Sequence, residues 1–218
     1  MLRKAMVYHD LSDIARGVFD CAIFQIKDNS YLDFHEESKR FSLKEDWRKV
    51  AGDEMSKGKY PFFNFWLKFS LGIEYLTKAV LINHEIDIFQ KKEGKFHSTV
   101  HRLTGNTNTF QIGTAVKFST NPWLQEVISQ KGITRVNEIS TGTLGKIYNL
   151  KIRELQDKGK ISEAEFNQLK SGLKHITDNR RNNDLHFYFM SSTFINDGDL
   201  PEIYIPMLNL LIEIYHRN

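Results

Sequence analysis

Residues 61–83 read PFFNFWLKFSLGIEYLTKAVLIN, and this stretch decides the fold class. Its apolar side chains recur at steps of three and four, which places them on one face of an α-helix. They are Phe62, Trp66, Phe69, Ile73, Leu76 and Val80. The stretch is long enough to cross a bilayer, but Lys68, Glu74 and Lys78 would bring charge to the bilayer centre. We therefore predict a buried central helix that runs from the proline to about Asp87, and no membrane partner.

Two further helices are predicted on the N-terminal side of this segment. The first runs from about Ser12 to Lys27, because apolar residues recur every four positions and Ser12 can serve as N-cap. The second is short and follows Ser42-Leu43-Lys44-Glu45, which has the spacing of a capping box, and Gly52 is well placed to end it. Residues 53–59 then look like a connection to the central helix.

On the C-terminal side, helix-start signals occur at four places. They are Asn121-Pro122, with Gly132 to end that helix, Gly142, the capping box Ser162-Glu163-Ala164-Glu165, and Pro206, where a final helix to His216 begins. Residues 91–120 contain three glycines and should form short helices and loops. We therefore predict an all-α protein with few strands: a helical bundle, residues 58–218, and an N-terminal helical extension, residues 1–57, packed on it.

The composition is that of a globular protein in a reducing compartment. Of its 218 residues, 40% are hydrophobic, which is enough to bury a core and argues against a disordered chain. Cys21 is the only cysteine, so no intramolecular disulfide can form. No apolar run of signal-peptide length follows the N-terminus, and we expect a cytoplasmic protein. The net charge of +3 permits an anionic partner without demanding one.

The segment 177–184, TDNRRNND, is polar throughout and separates an amphipathic helix from the apolar LHFYF. If the helix continues through it, one face carries four polar side chains. They are His175, Asp178, Asn182 and His186. Arg181 would lie about 140° round the helix from His186 at about 100° per residue, so its long side chain would have to reach back. The two groups could then flank one phosphate.

Cleavage of RNA without a metal needs a base for the 2′-hydroxyl proton, an acid for the leaving oxygen and a cation for the phosphoryl oxygens. Imidazole titrates near neutral pH and transfers protons in either direction, and guanidinium offers paired donors to phosphate. Asn182 can orient the imidazole or the substrate. The candidate catalytic residues are therefore Arg181, Asn182 and His186, with no metal and no cofactor expected.

Arg181, followed at once by Asn182 and five positions on by His186, resembles the motif of ribonucleases of the HEPN superfamily. The resemblance has a second element: members often carry an acid and a base four residues apart in the long preceding helix, as Glu74 and Lys78 stand here. It covers roughly residues 60–218 and implies a HEPN-like helical bundle. The supporting site residues are Glu74, Lys78, His175, Asp178 and Arg180.

The resemblance also implies a function. The protein would be a metal-independent endoribonuclease that leaves 2′,3′-cyclic phosphate and 5′-hydroxyl ends, and a toxin or antiphage effector. Members build a composite site in a homodimer, so we expect RNA and a second copy of the chain as partners, with room for an antitoxin or regulatory protein. The alternatives are a non-catalytic HEPN module that binds RNA, a nucleotide or a partner protein, and a helical interaction protein with no nucleic-acid role.

Each feature also has a plain structural interpretation. The helix before the polar run could end near Ile176 and leave residues 177–184 as an exposed loop. Glu74 and Lys78 could form an ordinary ion pair on the least buried strip of the central helix, worth about 0.3–0.5 kcal/mol. His97 and His101 are one helical turn apart, but no nearby residues complete the four ligands of a zinc site.

Overall fold

The computed structural model describes residues 11–57, 60–91, 121–133, 139–181 and 198–217. Most of these residues are helical, which confirms the mainly helical prediction. The α-helices are α1 (Leu11–Lys27), α2 (Trp47–Lys57), α3 (Tyr60–Asn83), α4 (Pro122–Gln130), α5 (Leu144–Leu150), α6 (Ile152–Asp157), α7 (Glu163–Ile176) and α8 (Ile205–His216). Two π-helical turns are Thr177–Arg181, after α7, and Leu200–Tyr204, before α8. The strands are β1 (Leu32–His35), β2 (Arg40–Leu43), β3 (Phe89–Lys91) and β4 (Ile139–Thr141).

Helix α3 is the central helix that its apolar spacing predicts. Trp66, Phe69 and Ile73 are each at most 1% exposed, and α1, α2 and α8 all pack against α3. The helix ends at Asn83, before the predicted end, because Glu85 adopts a left-handed conformation with φ of 55°. Burying this long apolar face against several helices at once stabilises the fold.

The N-terminal segment differs from its prediction after α1. Helix α1 matches the predicted bounds closely, but the supposed capping box at residues 42–45 begins inside a strand. β1 and β2 form an antiparallel hairpin in which Phe34 lies opposite Phe41, and the side-chain amide of Asn209 in α8 binds both backbone groups of Phe41. Pairing with an amide from the far end of the chain gives this strand a partner that local spacing does not reveal.

Helix α2 also runs further than predicted. Gly52 does not end it, since the helix continues to Lys57, so residues 53–57 are helical and not a connection. A glycine inside a helix costs about 1 kcal/mol relative to alanine, which a helix that packs on its neighbour can tolerate. The buried side chains of α1 and α2 belong to the same core as those of α3, and the proposed domain boundary at residue 57 stays a prediction.

The helices on the C-terminal side begin close to their predicted starts, but the single helix predicted after Gly142 is two helices, α5 and α6, that are separated at Lys151. Asn121 caps α4 by accepting a hydrogen bond from the Leu124 amide at 3.0 Å, and Gly132 with φ of 60° follows its end. β3 and β4 pair antiparallel beside α5. None of the helices in the described ranges combines the length and apolar character needed to cross a membrane.

Candidate functional site

Helix α7 carries the start of the candidate site and is fixed at its amino end by the predicted capping box. The Ser162 amide donates to Glu165 Oε2 at 2.7 Å, and the Glu165 amide donates to Ser162 Oγ at 3.3 Å. Arg217, just after α8, donates to Glu165 Oε1 at 2.6 Å, and this hydrogen bond lowers the pKa of Glu165 to about 2. The link holds the amino end of α7 against the end of α8.

The carboxyl end of α7 does not open into a loop. The chain continues through the first part of the polar run as the π-helical turn Thr177–Arg181. Thr177 is buried, and its hydroxyl donates to the Leu173 carbonyl at 2.7 Å, one helical turn back. The interpretation in which the helix ends near Ile176 is therefore wrong for residues 177–181.

The π-helical turn changes the predicted polar face. A π-helical turn closes i→i+5 hydrogen bonds, so it rotates each residue less than an α-helix does. The predicted alignment of His175 with Asn182 assumed a regular α-helix through this segment. Asn182 and His186 lie outside the described residues, as do His97 and His101, whereas Arg180 and Arg181 form the end of the turn.

His175, in the last turn of α7, is held by the segment before α8. Its Nδ1 lies 2.8 Å from the hydroxyl of Tyr204, and its Nε2 lies 3.9 Å from Asp199 Oδ2. Tyr204 is fully buried and packs edge-on against the Trp66 ring in α3. The imidazole is therefore oriented by a buried hydroxyl, while 31% of its side chain remains exposed to solvent.

Asp178 follows His175 by three residues but binds a different partner. Its carboxylate forms an ion pair with Lys174, four residues earlier, and both side chains are exposed. Exposed pairs of this kind contribute little to stability. Asp178 therefore adds a neutralised polar surface to the site rather than a free carboxylate.

Glu74 and Lys78 form the predicted i,i+4 pair, with Nζ 2.7 Å from Oε1. Their side chains are only 9% and 12% exposed, on the strip of α3 where the neighbouring Tyr75 is exposed. Helix α3 packs against the π-helical turn, so the helix that carries the pair borders the polar run. Glu74 is buried and Lys78 half-buried, so the pair loses solvation that its mutual attraction only partly restores and adds little to stability.

A depression of about 550 Å³ lies beside the π-helical turn and is formed by residues of α5 and of the turn itself. Its lining residues include Thr143, Lys146, Asn149, Thr177 and Asp178. Sequence analysis missed Lys146, and it also missed Tyr204 and Asp199, which hold His175. No local pattern marks these residues, because each meets the polar run only through the tertiary fold.

Comparison with known proteins gave no significant match, whether to a family profile, to a curated protein or to a solved structure. Within the described ranges, no three His, Cys, Asp or Glu side chains come together as metal ligands would.

Proposed function

We propose that the protein is a metal-independent endoribonuclease of the HEPN type, acting in the cytoplasm through Arg181, Asn182 and His186. The observation that carries the proposal is the continuation of α7 into the polar run as a π-helical turn packed against α3. Such turns occur frequently at functional sites, where they re-aim side chains that a regular helix would place elsewhere. Arg181, the last residue of this turn, would thus be presented next to the helix that carries Glu74 and Lys78.

The proposed reaction is transfer of the phosphoryl group to the neighbouring 2′-oxygen. A base removes the 2′-hydroxyl proton as this oxygen attacks phosphorus, and the bond to the 5′-oxygen breaks as an acid protonates it. The products are a 2′,3′-cyclic phosphate and a 5′-hydroxyl, and atoms and charge balance without a co-reactant. Arg181 binds the phosphoryl oxygens, Asn182 orients the reacting groups and His186 transfers the proton.

One imidazole cannot readily act as base and acid on opposite sides of the same phosphate. We therefore propose a homodimer in which two His186 side chains share one cleft across a two-fold axis, since an isologous interface sets each residue opposite its counterpart. A toxin or antiphage role, with an antitoxin or regulatory protein as second partner, is the biological setting that we propose for such an enzyme.

The test is cleavage of a panel of labelled RNAs by the purified protein. His186→Ala and Arg181→Ala should each abolish cleavage, and the ends of the products should be cyclic phosphate and 5′-hydroxyl. His35→Ala, which changes an exposed histidine on the β1–β2 hairpin, is the matched control and should cleave normally. Circular dichroism should show all three variants folded.

Two outcomes would overturn the assignment. If His186→Ala and Arg181→Ala both unfold the protein, these residues have a structural role. If the wild type binds RNA tightly but cleaves none of the panel, the protein is the non-catalytic binding module instead.

A further inference from the structure

Helix α5 forms a ridge between two depressions on the surface beside the π-helical turn. Lys146 and Leu150, one helical turn apart, line both depressions, and we call this pair the α5 ridge. The larger depression reaches Thr177 and Asp178, at the start of the polar run. The smaller, of about 190 Å³, is bordered by Lys131 and by strand β3. A ligand that fills the larger depression therefore also touches the turn that ends in Arg181.

The carboxylates around the α5 ridge are each neutralised by a lysine. The pairs are Asp87 with Lys131 at 2.6 Å, Glu154 with Lys151 at 2.7 Å, and Asp178 with Lys174. Lys146 is exposed, and no carboxylate of the described residues binds it. The ridge thus has a net positive charge that comes from a lysine whose ammonium group is available to an anion. Phosphates along a nucleic-acid backbone are the polyanion that such an ammonium binds.

Leu150 gives the ridge an apolar element beside that charge. Its side chain is 65% exposed, although the rest of its helix buries Leu144, Ile147 and Tyr148. Hydroxyl and amide groups of Thr143 and Asn149 lie within the larger depression. An apolar contact for a base, hydrogen-bonding groups and a cation for the phosphate are what an unpaired strand requires, because its bases are accessible.

We propose that the α5 ridge is the binding track for single-stranded RNA, with Lys146 on the phosphate backbone and Leu150 against a base. This inference rests on the proposed ribonuclease function and assigns the surface that leads the substrate to the π-helical turn. Lys146 is a binding residue in this scheme and takes no part in proton transfer. Its replacement should weaken binding and leave the products of cleavage unchanged.

The test measures RNA affinity in a protein that does not cleave, so that binding is separated from chemistry. Two proteins are compared, His186→Ala and the double variant His186→Ala, Lys146→Glu. Each is titrated against a labelled single-stranded RNA of mixed sequence at several salt concentrations. Lys49→Glu makes the same change of charge on α2, which lines neither depression, and is the matched control. Leu150→Ser tests the apolar element without a change of charge.

Lys146→Glu should weaken binding roughly tenfold at low salt and reduce the slope of log affinity against log salt by about 0.7, whereas Lys49→Glu should change little. Leu150→Ser should weaken binding while keeping the salt slope. If Lys146→Glu binds RNA as well as its parent, or no worse than Lys49→Glu, the α5 ridge is not the RNA-binding surface. Wild-type cleavage, measured separately, then shows whether the nuclease assignment still stands. If Lys146→Glu weakens binding but the wild type cleaves no RNA, the α5 ridge binds RNA and the nuclease assignment is refuted.

Discussion

Replacing Gly72 by alanine should destabilise the protein, because α1 crosses α3 where there is no room for a side chain. A Cβ at this position would lie 2.3 Å from Ile26 Cγ1 and 2.8 Å from its Cδ1. It would also lie 3.2 Å from the Ala22 carbonyl oxygen. Ile26 is buried and Ala22 contributes backbone, so neither neighbour can easily move away.

The expected magnitude follows from two opposing effects. Alanine is favoured over glycine inside a helix by about 1 kcal/mol, whereas forcing extra atoms into a packed core costs about 1–3 kcal/mol. The distance of 2.3 Å and the backbone neighbour place the cost at the upper end of that range. We therefore expect Gly72→Ala to lower the free energy of unfolding by about 1–2 kcal/mol, or the melting temperature by roughly 2–8 °C.

Urea denaturation followed by circular dichroism measures this change, with Gly52→Ala as the matched control. Nothing lies within 4 Å of a Cβ built at Gly52, so there the substitution should stabilise the protein by about 0.5–1 kcal/mol. In an Ile26→Ala background, Gly72→Ala should cost less than it does alone, because the clashing carbons are gone. A Gly72→Ala protein as stable as the wild type would refute the close packing of α1 on α3.

Three further predictions concern pH, metal and assembly. Burial lowers the pKa of His84, whose Nε2 lies 3.0 Å from the Ile214 carbonyl oxygen. Below pH about 6.5 the unfolded chain therefore binds a proton that the folded protein does not. Stability measured by urea denaturation should therefore fall as the pH drops from 7.5 to 5.5, and less so in His84→Gln. Excess EDTA should leave RNA cleavage intact; activity that is lost and returns with added Mg²⁺ or Mn²⁺ would exclude the proposed chemistry. Light scattering should show a dimer at tens of micromolar, and a strict monomer that still cleaves RNA would disprove the composite site.

The parts of the fold that sequence predicts well are those decided by local periodicity and capping. The helical spacing in α1 and α3 and the capping box of α7 depend on residues three or four positions apart, so a single window contains the whole signal. The predicted end of α2 at Gly52 was wrong because it relied on a local signal alone. Gly52 is a weak helix former in isolation, but packing of α2 on α3 outweighs its local preference.

The parts that sequence could not predict depend on residues far apart in the chain. Strand β2 is bound by Asn209, which lies 168 residues after its partner Phe41. His175 is held by Tyr204, which lies 29 residues further along the chain. Side-chain spacing evaluated at about 100° per residue cannot reveal the π-helical turn either, because that period assumes an α-helix. The sequence motif marks Arg181 as a candidate, but it does not reveal the π-helical backbone on which Arg181 lies.

The ion pair of Glu74 and Lys78 illustrates the same limit. Their spacing predicts an ion pair equally well on a wet or a dry surface, because the pattern says nothing about what covers it. A largely covered pair carries a desolvation cost that two apolar residues of similar size would not, so it contributes little to stability. What the pair does offer is an ammonium and a carboxylate held together on the helix that packs against the π-helical turn. Its Nζ–Oε1 distance is 2.7 Å.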